Sequence, residues 1–206
     1  MADRPGAFVV VEGGDGAGKT TVAGALATEL AARGLRVCLT EEPSPGPVGV
    51  FLRSLLATGP LSAEAMALLF AADRAHHVED VILPALRRAE VVVCSRYLLS
   101  SLAYQGPEVG LERVAYLNAG ALQPDLLLFL ECASEVALGR AGAARALDAF
   151  ETPAIAARAA GGYARALAYL EGGEQRVVRV DASQPLEQVL RSVLDQVLPL
   201  VVRDDR

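Results

Sequence analysis

The most informative segment of the 206-residue sequence lies near its start, where residues 13–20 read Gly-Gly-Asp-Gly-Ala-Gly-Lys-Thr. This stretch matches the pattern G-x-x-x-x-G-K-[ST], whose glycines let the backbone curl so that several N–H groups point at one phosphate. It follows an apolar, β-branched run at Phe8–Val11 and precedes a predicted helix from about Lys19 to Ala32. A strand before the motif and a helix after it make the match specific. The segment therefore predicts a P-loop that binds a nucleoside triphosphate.

Two positions of this loop carry specific expectations. Lys19 is expected to act as a catalytic cation that bridges the outer phosphates, and the hydroxyl of Thr20 is expected to ligate Mg²⁺. The partial positive charge at the start of the following helix adds to the attraction. The residues predicted to bind ATP are Gly13, Gly14, Asp15, Gly16, Ala17, Gly18, Lys19, Thr20 and Thr21.

The lysine of this loop also narrows the class of nucleotide-binding protein. Lys19 is the only lysine among the 19 lysines and arginines of the chain. Guanine-specific switch proteins use an Asn-Lys-x-Asp element on a later strand. Because no lysine follows Lys19, this chain cannot contain that element, and the class of guanine-specific switches is excluded. A motor or partition ATPase stays open, although 206 residues leave little room beyond a compact, kinase-like core.

The composition argues against several other classes. The formal net charge is −6 and the sequence shows no basic stripe, which argues against binding to a nucleic acid polymer. The apolar runs are far shorter than the ~20 residues that span a bilayer, and Met1–Ala7 lacks the layout of a secretory signal. Cys38, Cys94 and Cys132 have no metal-like spacing and are interpreted as reduced thiols. A cytoplasmic protein without membrane association is expected.

Strand-like and helix-like segments alternate along the rest of the chain. Further strands are predicted at Arg36–Thr40, Val91–Cys94, Leu126–Leu130 and Val177–Val180. Helices are predicted at Val48–Ala57, from Ser62 toward Leu83, at Leu111–Ala119, from Ser134 to Arg140 and at Leu186–Leu198, with a loop at Gly106–Gly110. This order predicts an α/β, three-layer P-loop NTPase fold, with a mostly parallel five-stranded sheet and helices on both faces. We expect one domain over residues 1–206.

Four segments, in order, resemble the thymidylate kinase family. Residues 11–21 resemble its P-loop, and Glu42-Pro43 resembles its Arg-Glu-Pro element. Residues 68–74 resemble its helix that contacts the nucleobase, and residues 96–106 resemble its Asp-Arg-Tyr segment and the stretch that follows. The resemblance covers about residues 7–198, and its family-specific part is the stretch with Phe70 and Arg74 together with Ser100–Gly106. It implies transfer of a phosphoryl group from ATP, with Mg²⁺, to dTMP, by a homodimer formed through helices.

The residues implied to bind the acceptor fall in these segments. Phe70 and Arg74 are four apart on a predicted helix and share a face, so a stacking ring and a guanidinium would together read a pyrimidine. From the residues alone, a core Phe70 with a solvated Arg74 stays open. Arg96 follows a buried strand at its carboxyl end, where ligands bind in α/β sheets. The resemblance assigns Arg96 a catalytic role at the monophosphate of the acceptor, with Arg53 as a weaker second candidate.

The resemblance also implies roles for residues that flank these positions. Asp15 is assigned to the 3′-hydroxyl of the acceptor, although from the residues alone it could be a turn residue. Tyr104 is expected to crowd out a 2′-hydroxyl, or else to be core. The remaining residues implied at this site are Glu42, Ser101 and Gln105.

The chain departs from the family at three positions. Ser95 replaces the Asp before Arg-Tyr, and a carboxylate at this strand end helps to hold Mg²⁺ in P-loop enzymes. Glu41 stands where the family usually has Arg. The Asp-Arg-x-Glu pattern of the family's lid reads Asp-Ala-Phe-Glu at residues 148–151, within a small lid segment expected around 140–152. Arg140 and Arg145 are therefore expected to act as the catalytic lid arginines, with ordinary surface charge as the alternative.

Two other functions remain open at this point. One is a kinase for a different nucleoside monophosphate. The other, suggested by the three departures, is a catalytically weak nucleotide-binding protein. If the chain is an active kinase, we expect Asp15 or Glu42 to supply the charge that Ser95 lacks, through water.

Overall fold

A computed structural model of the chain describes residues 5–59, 61–132, 153–173 and 175–201. Its strands are β1 (Ala7–Gly13), β2 (Val37–Glu41), β3 (Val91–Ser95), β4 (Leu126–Glu131) and β5 (Val177–Asp181). Its helices are α1 (Lys19–Ala32), α2 (Pro47–Thr58), α3 (Ala63–His77), α4 (Leu83–Arg87), α5 (Leu98–Tyr104), α6 (Gly106–Val109), α7 (Leu111–Leu117), α8 (Pro153–Glu171) and α9 (Leu186–Val201). Among these described helices, none is long and apolar enough to cross a membrane.

The five strands form one sheet in the order β2-β3-β1-β4-β5, and every neighbouring pair is parallel. This confirms the predicted α/β class, and the described sheet is parallel throughout. Because the strands are parallel, their carboxyl ends meet at one edge. The P-loop that follows β1 therefore lies at the same edge as the ends of β2 and β3.

The sheet separates two apolar layers, and its strands are apolar on both faces as buried parallel strands require. On β1 and β3, odd-numbered residues such as Val11 and Val93 pack with α1 and α9. Even-numbered residues such as Phe8 and Val92 pack with α4, α5 and α8 on the other face. This alternation identifies the face of the sheet to which a side chain at the end of a strand projects.

The long helix predicted from Ser62 is interrupted in the structure. Ser62 caps α3 as expected, and its hydroxyl accepts a hydrogen bond from the Ala65 N–H at 3.4 Å. After His77, residues Val78–Ile82 form a π-helical turn before α4 begins at Leu83. Pro84 in the first turn of α4 explains this, because proline has no N–H to donate and its ring crowds the carbonyl four residues earlier.

Two further segments differ from the sequence-based expectation. The predicted loop at Gly106–Gly110 is wrong, because Gly106–Val109 forms α6, with Pro107 in its first turn where a missing N–H costs nothing. Leu98–Tyr104, to which the sequence pattern assigned no element, forms α5. The helix predicted from Ser134 to Arg140 lies outside the described residues.

Candidate active site

The P-loop adopts a conformation that depends on its glycines. Gly18 has φ 87°, in the left-handed region that strains residues with a Cβ, and it precedes the first residue of α1. Gly13 has φ 153°, and a Cβ there would lie 2.8 Å from the carbonyl oxygen of Leu130. Lys19 is buried, and its Nζ donates to the carbonyl oxygen of Gly14 at 2.7 Å. Thr20 is exposed at the start of α1.

Asp15 of the P-loop joins residues from two other elements. Its Oδ1 accepts a hydrogen bond from Nη2 of Arg96 at 2.5 Å, and its Oδ2 accepts one from the hydroxyl of Tyr104 at 2.5 Å. Arg96 follows β3 with φ 64°, a conformation uncommon for a residue with a side chain. Its guanidinium also lies 5.7 Å from the centre of the Tyr104 ring. The structure therefore brings together three of the predicted site residues.

The charge of Asp15 is set by these neighbours. Burial raises the pKa of its carboxyl group, but the charges of Arg96 and Lys19 and the hydrogen bonds from Tyr104 and Arg96 outweigh burial. The net result is a pKa below the ordinary value of an aspartate. Asp15 is therefore ionised at neutral pH and acts as a hydrogen-bond acceptor.

Arg74 lies at the centre of a buried polar network, so the alternative of a solvated arginine is wrong. Its Nη2 donates to Oε2 of Glu42 at 2.7 Å and to Oγ of Ser101 at 3.0 Å, and its Nη1 donates to Oδ1 of Asn118 at 2.5 Å. The guanidinium also lies 4.9 Å from the centre of the Tyr97 ring. Only 2% of the Arg74 side chain is exposed.

The network continues from Glu42 to a buried histidine. Nδ1 of His77 lies 3.2 Å from Oε1 of Glu42, and Nε2 of His77 lies 2.7 Å from Oγ1 of Thr40. Glu42 therefore contacts two cationic or polar partners on α3, and α3 is held against the end of β2. Glu42 is engaged inside the protein and does not face the P-loop helix.

Removing Arg74 is expected to destabilise the fold as well as the site. In Arg74→Ala the Glu42 carboxylate stays buried without its counter-charge, which costs about 3–5 kcal/mol of unfolding free energy. Urea denaturation at pH 7 measures this. Arg113→Ala is the matched control, since Arg113 pairs with Glu64 on the surface and its loss costs about 0–1 kcal/mol. Equal stability of the two variants would show that the network contributes no more than a surface pair.

The sequence-based reasoning missed one buried acid. Glu12 is fully buried at the end of β1, where it accepts hydrogen bonds from the N–H of Tyr97 at 2.7 Å and from the N–H and hydroxyl of Ser100 at 3.0 and 2.6 Å. Burial raises the pKa of Glu12, and these hydrogen bonds offset only part of the shift. The hydroxyl of Ser100 also lies 3.1 Å from that of Tyr163 on α8. An acidic residue directly after the run Val9–Val11 was the available signal.

The other predicted residues are placed as follows. Phe70 is half-buried on α3, one turn before Arg74, and Ser101 is buried on α5. Gln105 is half-buried, and its Oε1 has no hydrogen-bond partner among the described residues. Arg53 is exposed on α2 and donates to the carbonyl oxygen of Pro43. Arg140 and Arg145 lie outside the described residues.

The comparisons with known proteins agree with this geometry. A family model described as thymidylate kinase matches residues 11–193. The chain belongs to the thymidylate kinase family. A thymidylate kinase of Pseudomonas fluorescens is 41% identical over 98% of this chain and 99% of its own length. Those of Synechococcus sp. strain JA-3-3Ab and of Thermosynechococcus vestitus are 44% and 40% identical, over 89% and 91% of this chain and 92% and 85% of their own lengths.

Membership of the thymidylate kinase family confirms the resemblance seen in the sequence. Thymidylate kinases are phosphotransferases, so the P-loop belongs to an enzyme and the open question of a motor or partition ATPase is settled. Two groups of the predicted acceptor residues are in contact, namely Asp15 with Arg96 and Tyr104, and Arg74 with Ser101.

Proposed function

We propose that the protein catalyses the reaction ATP + dTMP → ADP + dTDP. The observation that carries this proposal is the direct contact of the P-loop residue Asp15 with Arg96 and Tyr104. These contacts support an acceptor site next to the phosphate-binding loop, which transfer between two bound nucleotides would require. Phosphoryl transfer asks little covalent chemistry of the protein, so catalysis rests on alignment and charge neutralisation.

The donor nucleotide is proposed to bind at the P-loop. Its phosphates would accept hydrogen bonds from the backbone N–H groups of residues 13–21, at the positive end of α1. The ammonium group of Lys19 is held at this loop by its hydrogen bond to the carbonyl oxygen of Gly14. There it would neutralise charge on the outer phosphates as the bond to the leaving ADP breaks.

The acceptor is proposed to lie along α3 and α5. Arg96 would contact the monophosphate of dTMP, and Asp15, ionised and with a second oxygen held by Tyr104, would accept a hydrogen bond from the 3′-hydroxyl. Phe70 would stack on the thymine base near Arg74 and Ser101. Because Glu42, Asn118 and Ser101 already hold Arg74, little side-chain freedom is lost when the base binds. Gln105 and Arg53 are further proposed contacts of this site.

The residues around Thr20 fit Mg²⁺ bound mainly through the substrate. Among the described residues, no group of three or more His, Cys, Asp or Glu side chains could hold a metal ion. Mg²⁺ usually keeps several waters and takes one or two protein oxygens besides the phosphates of its substrate. The hydroxyl of the exposed residue Thr20 would supply such an oxygen. When bound with ATP, Mg²⁺ would neutralise phosphate charge during transfer.

The remaining parts of the assignment concern organisation. We expect one cytoplasmic domain with a lid around residues 140–152, from which Arg140 or Arg145 reaches the transferred group. Helices α2 and α3 pack against each other and expose the apolar side chains of Val50, Phe51 and Leu68. These exposed side chains support a homodimer formed through helices. Sedimentation velocity tests the dimer, and a species with the mass of a single chain at micromolar concentration would refute it.

A coupled assay of ADP release with a panel of nucleoside monophosphates tests the proposed reaction. We expect dTMP to give the highest kcat/KM, since Phe70 and Arg74 suit a pyrimidine. We expect dUMP to be preferred over UMP, because the Tyr104 ring lies beside Asp15 where a 2′-hydroxyl would approach. A preference for AMP would indicate a kinase for another nucleotide. ATP binding without phosphorylation of any monophosphate would indicate the catalytically weak protein.

A further inference from the structure

The candidate Mg²⁺ site lacks a carboxylate at one position. Ser95 ends β3, next to the P-loop strand, where P-loop enzymes place an acidic residue that helps to hold the metal. Ser95 is buried and uncharged. Granted the Mg²⁺-dependent ATP reaction proposed above, some other oxygen ligand near Thr20 should carry the negative charge.

The register of the sheet shows which side chains share the face of Ser95. Ser95 aligns with Val11 of β1 on one side and with Glu41 of β2 on the other. Side chains aligned across parallel strands project to the same face, and Val11 packs in the layer beneath α1. Glu41 and Ser95 therefore both project toward α1, whose second residue is Thr20. Neighbouring strands lie about 4.8 Å apart, so Glu41 stands one strand beyond Ser95.

The position of Glu41 at this edge is held by the backbone. The N–H of Glu42 donates to the carbonyl oxygen of Ser95 at 3.0 Å, which extends the pairing of β2 and β3 past Glu41. The Glu41 side chain is exposed. Within the part of the chain that the structure describes, no hydrogen bond or ion pair engages its carboxylate.

The other carboxylates at this edge are unsuitable. By the alternation of side chains, Glu12, Glu131 and Asp181 project to the opposite face of the sheet from α1. Each acid in this region also has partners of its own. Glu12 binds Tyr97 and Ser100, Asp15 binds Arg96 and Tyr104, Glu42 binds Arg74 and His77, Glu131 binds Arg179, and Asp181 binds Ser183 and Gln184.

We propose that Glu41 supplies the carboxylate of the Mg²⁺·ATP site that residue 95 does not provide. The expectation that Asp15 or Glu42 would do so loses its support, since both are engaged. A contact through a metal-bound water is sufficient, because Mg²⁺ keeps much of its hydration shell in proteins. The two departures from the family then compensate one another. A negative charge is lost at position 95, and position 41 changes from the usual arginine to an acid.

Binding of Mn²⁺, a paramagnetic substitute for Mg²⁺, tests this without turnover. Free Mn²⁺ is measured by electron paramagnetic resonance during titration of the protein complex with a non-hydrolysable ATP analogue, without dTMP. Glu41→Gln is expected to raise the dissociation constant of Mn²⁺ by about 10-fold or more, as for loss of an outer-shell metal partner. Adding Ser95→Asp to Glu41→Gln should restore the affinity. Glu131→Gln, a strand-end acid on the other face, should leave it unchanged.

The outcomes separate this proposal from the proposed function. Wild-type affinity for Mn²⁺ in Glu41→Gln, or an equal loss in Glu131→Gln, overturns the role of Glu41. Weaker Mn²⁺ binding in Glu41→Gln but not in Glu131→Gln, with affinity restored when Ser95→Asp is added to Glu41→Gln, supports the role of Glu41. Because dTMP is absent, a protein that shows this pattern but does not phosphorylate dTMP would refute the proposed reaction and leave the metal assignment in place. Analogue binding in EDTA checks that every variant retains its nucleotide site.

Discussion

Replacing Lys19 with alanine is expected to lower kcat for dTMP phosphorylation by about 10³-fold, the upper range for loss of one preorganised charge-stabilising donor. The ammonium group is buried at the wall of the P-loop, hydrogen bonded to Gly14 and 3.8 Å from Asp15. At this place it would meet the charge that develops on the outer phosphates. The chain has no second lysine that could take its place. The coupled ADP-release assay at saturating ATP and dTMP measures the effect.

The fold should survive this change, because Asp15 keeps its contacts with Arg96 and Tyr104. Circular dichroism and the thermal midpoint of Lys19→Ala should therefore stay close to those of the wild type. Arg33→Ala serves as the control, since Arg33 lies at the far end of α1 and pairs with Glu29 on the surface. Turnover of a folded Lys19→Ala protein within a few-fold of wild type would remove Lys19 from the proposed mechanism.

Replacing one of the two lid arginines is expected to have a comparable or larger effect. The P-loop itself contains no arginine, so charge on the transferred group is proposed to be neutralised by Arg140 or Arg145. An arginine in that role accounts for about 10³–10⁵-fold in kcat. We expect Arg140→Ala or Arg145→Ala, but not both, to lose activity on this scale, with affinity for ATP little changed. Steady-state kinetics of the two single variants measure the difference.

Arg165→Ala is the matched control for these variants, because Arg165 lies exposed on α8, the first described helix after the lid segment. It should keep wild-type kcat. If Arg140→Ala and Arg145→Ala both do so as well, the cation must come from elsewhere. Arg96 would then be the first suspect, since it contacts the P-loop through Asp15, and exposed Arg53 the second.

The extent to which the fold could be predicted differs from element to element. The bounds of the strands and of α1 were predicted within one or two residues, because short, continuous apolar runs are typical of the buried strands of a parallel sheet. The segments around α5 and α6 were not, since these short helices have no repeat long enough to recognise. Their position depends on packing, as when Glu12 accepts hydrogen bonds from the first turn of α5.

The candidate site shows the same division. The strand, loop and helix around the P-loop and the shared helix of Phe70 and Arg74 were predictable, because spacing along the chain reflects local geometry. The partners of Arg74 were not, since Glu42, Ser101 and Asn118 come from three distant segments. From the residues alone a solvated Arg74 stayed open, and only its burial and its partners in the structure show that it belongs to a network.

The linear sequence alone determined the nucleotide-binding loop and the parallel α/β class, because a P-loop is a continuous segment and its chemistry lies in its own glycines, lysine and threonine. Only the tertiary structure decided which distant side chains meet. Asp15 and Arg96 are 81 positions apart and form an ion pair because β1 and β3 are neighbours in the sheet. Glu41 and Ser95 look like two unrelated departures in the sequence. They share one face of the sheet because parallel pairing places them in register, which no spacing along the chain reveals.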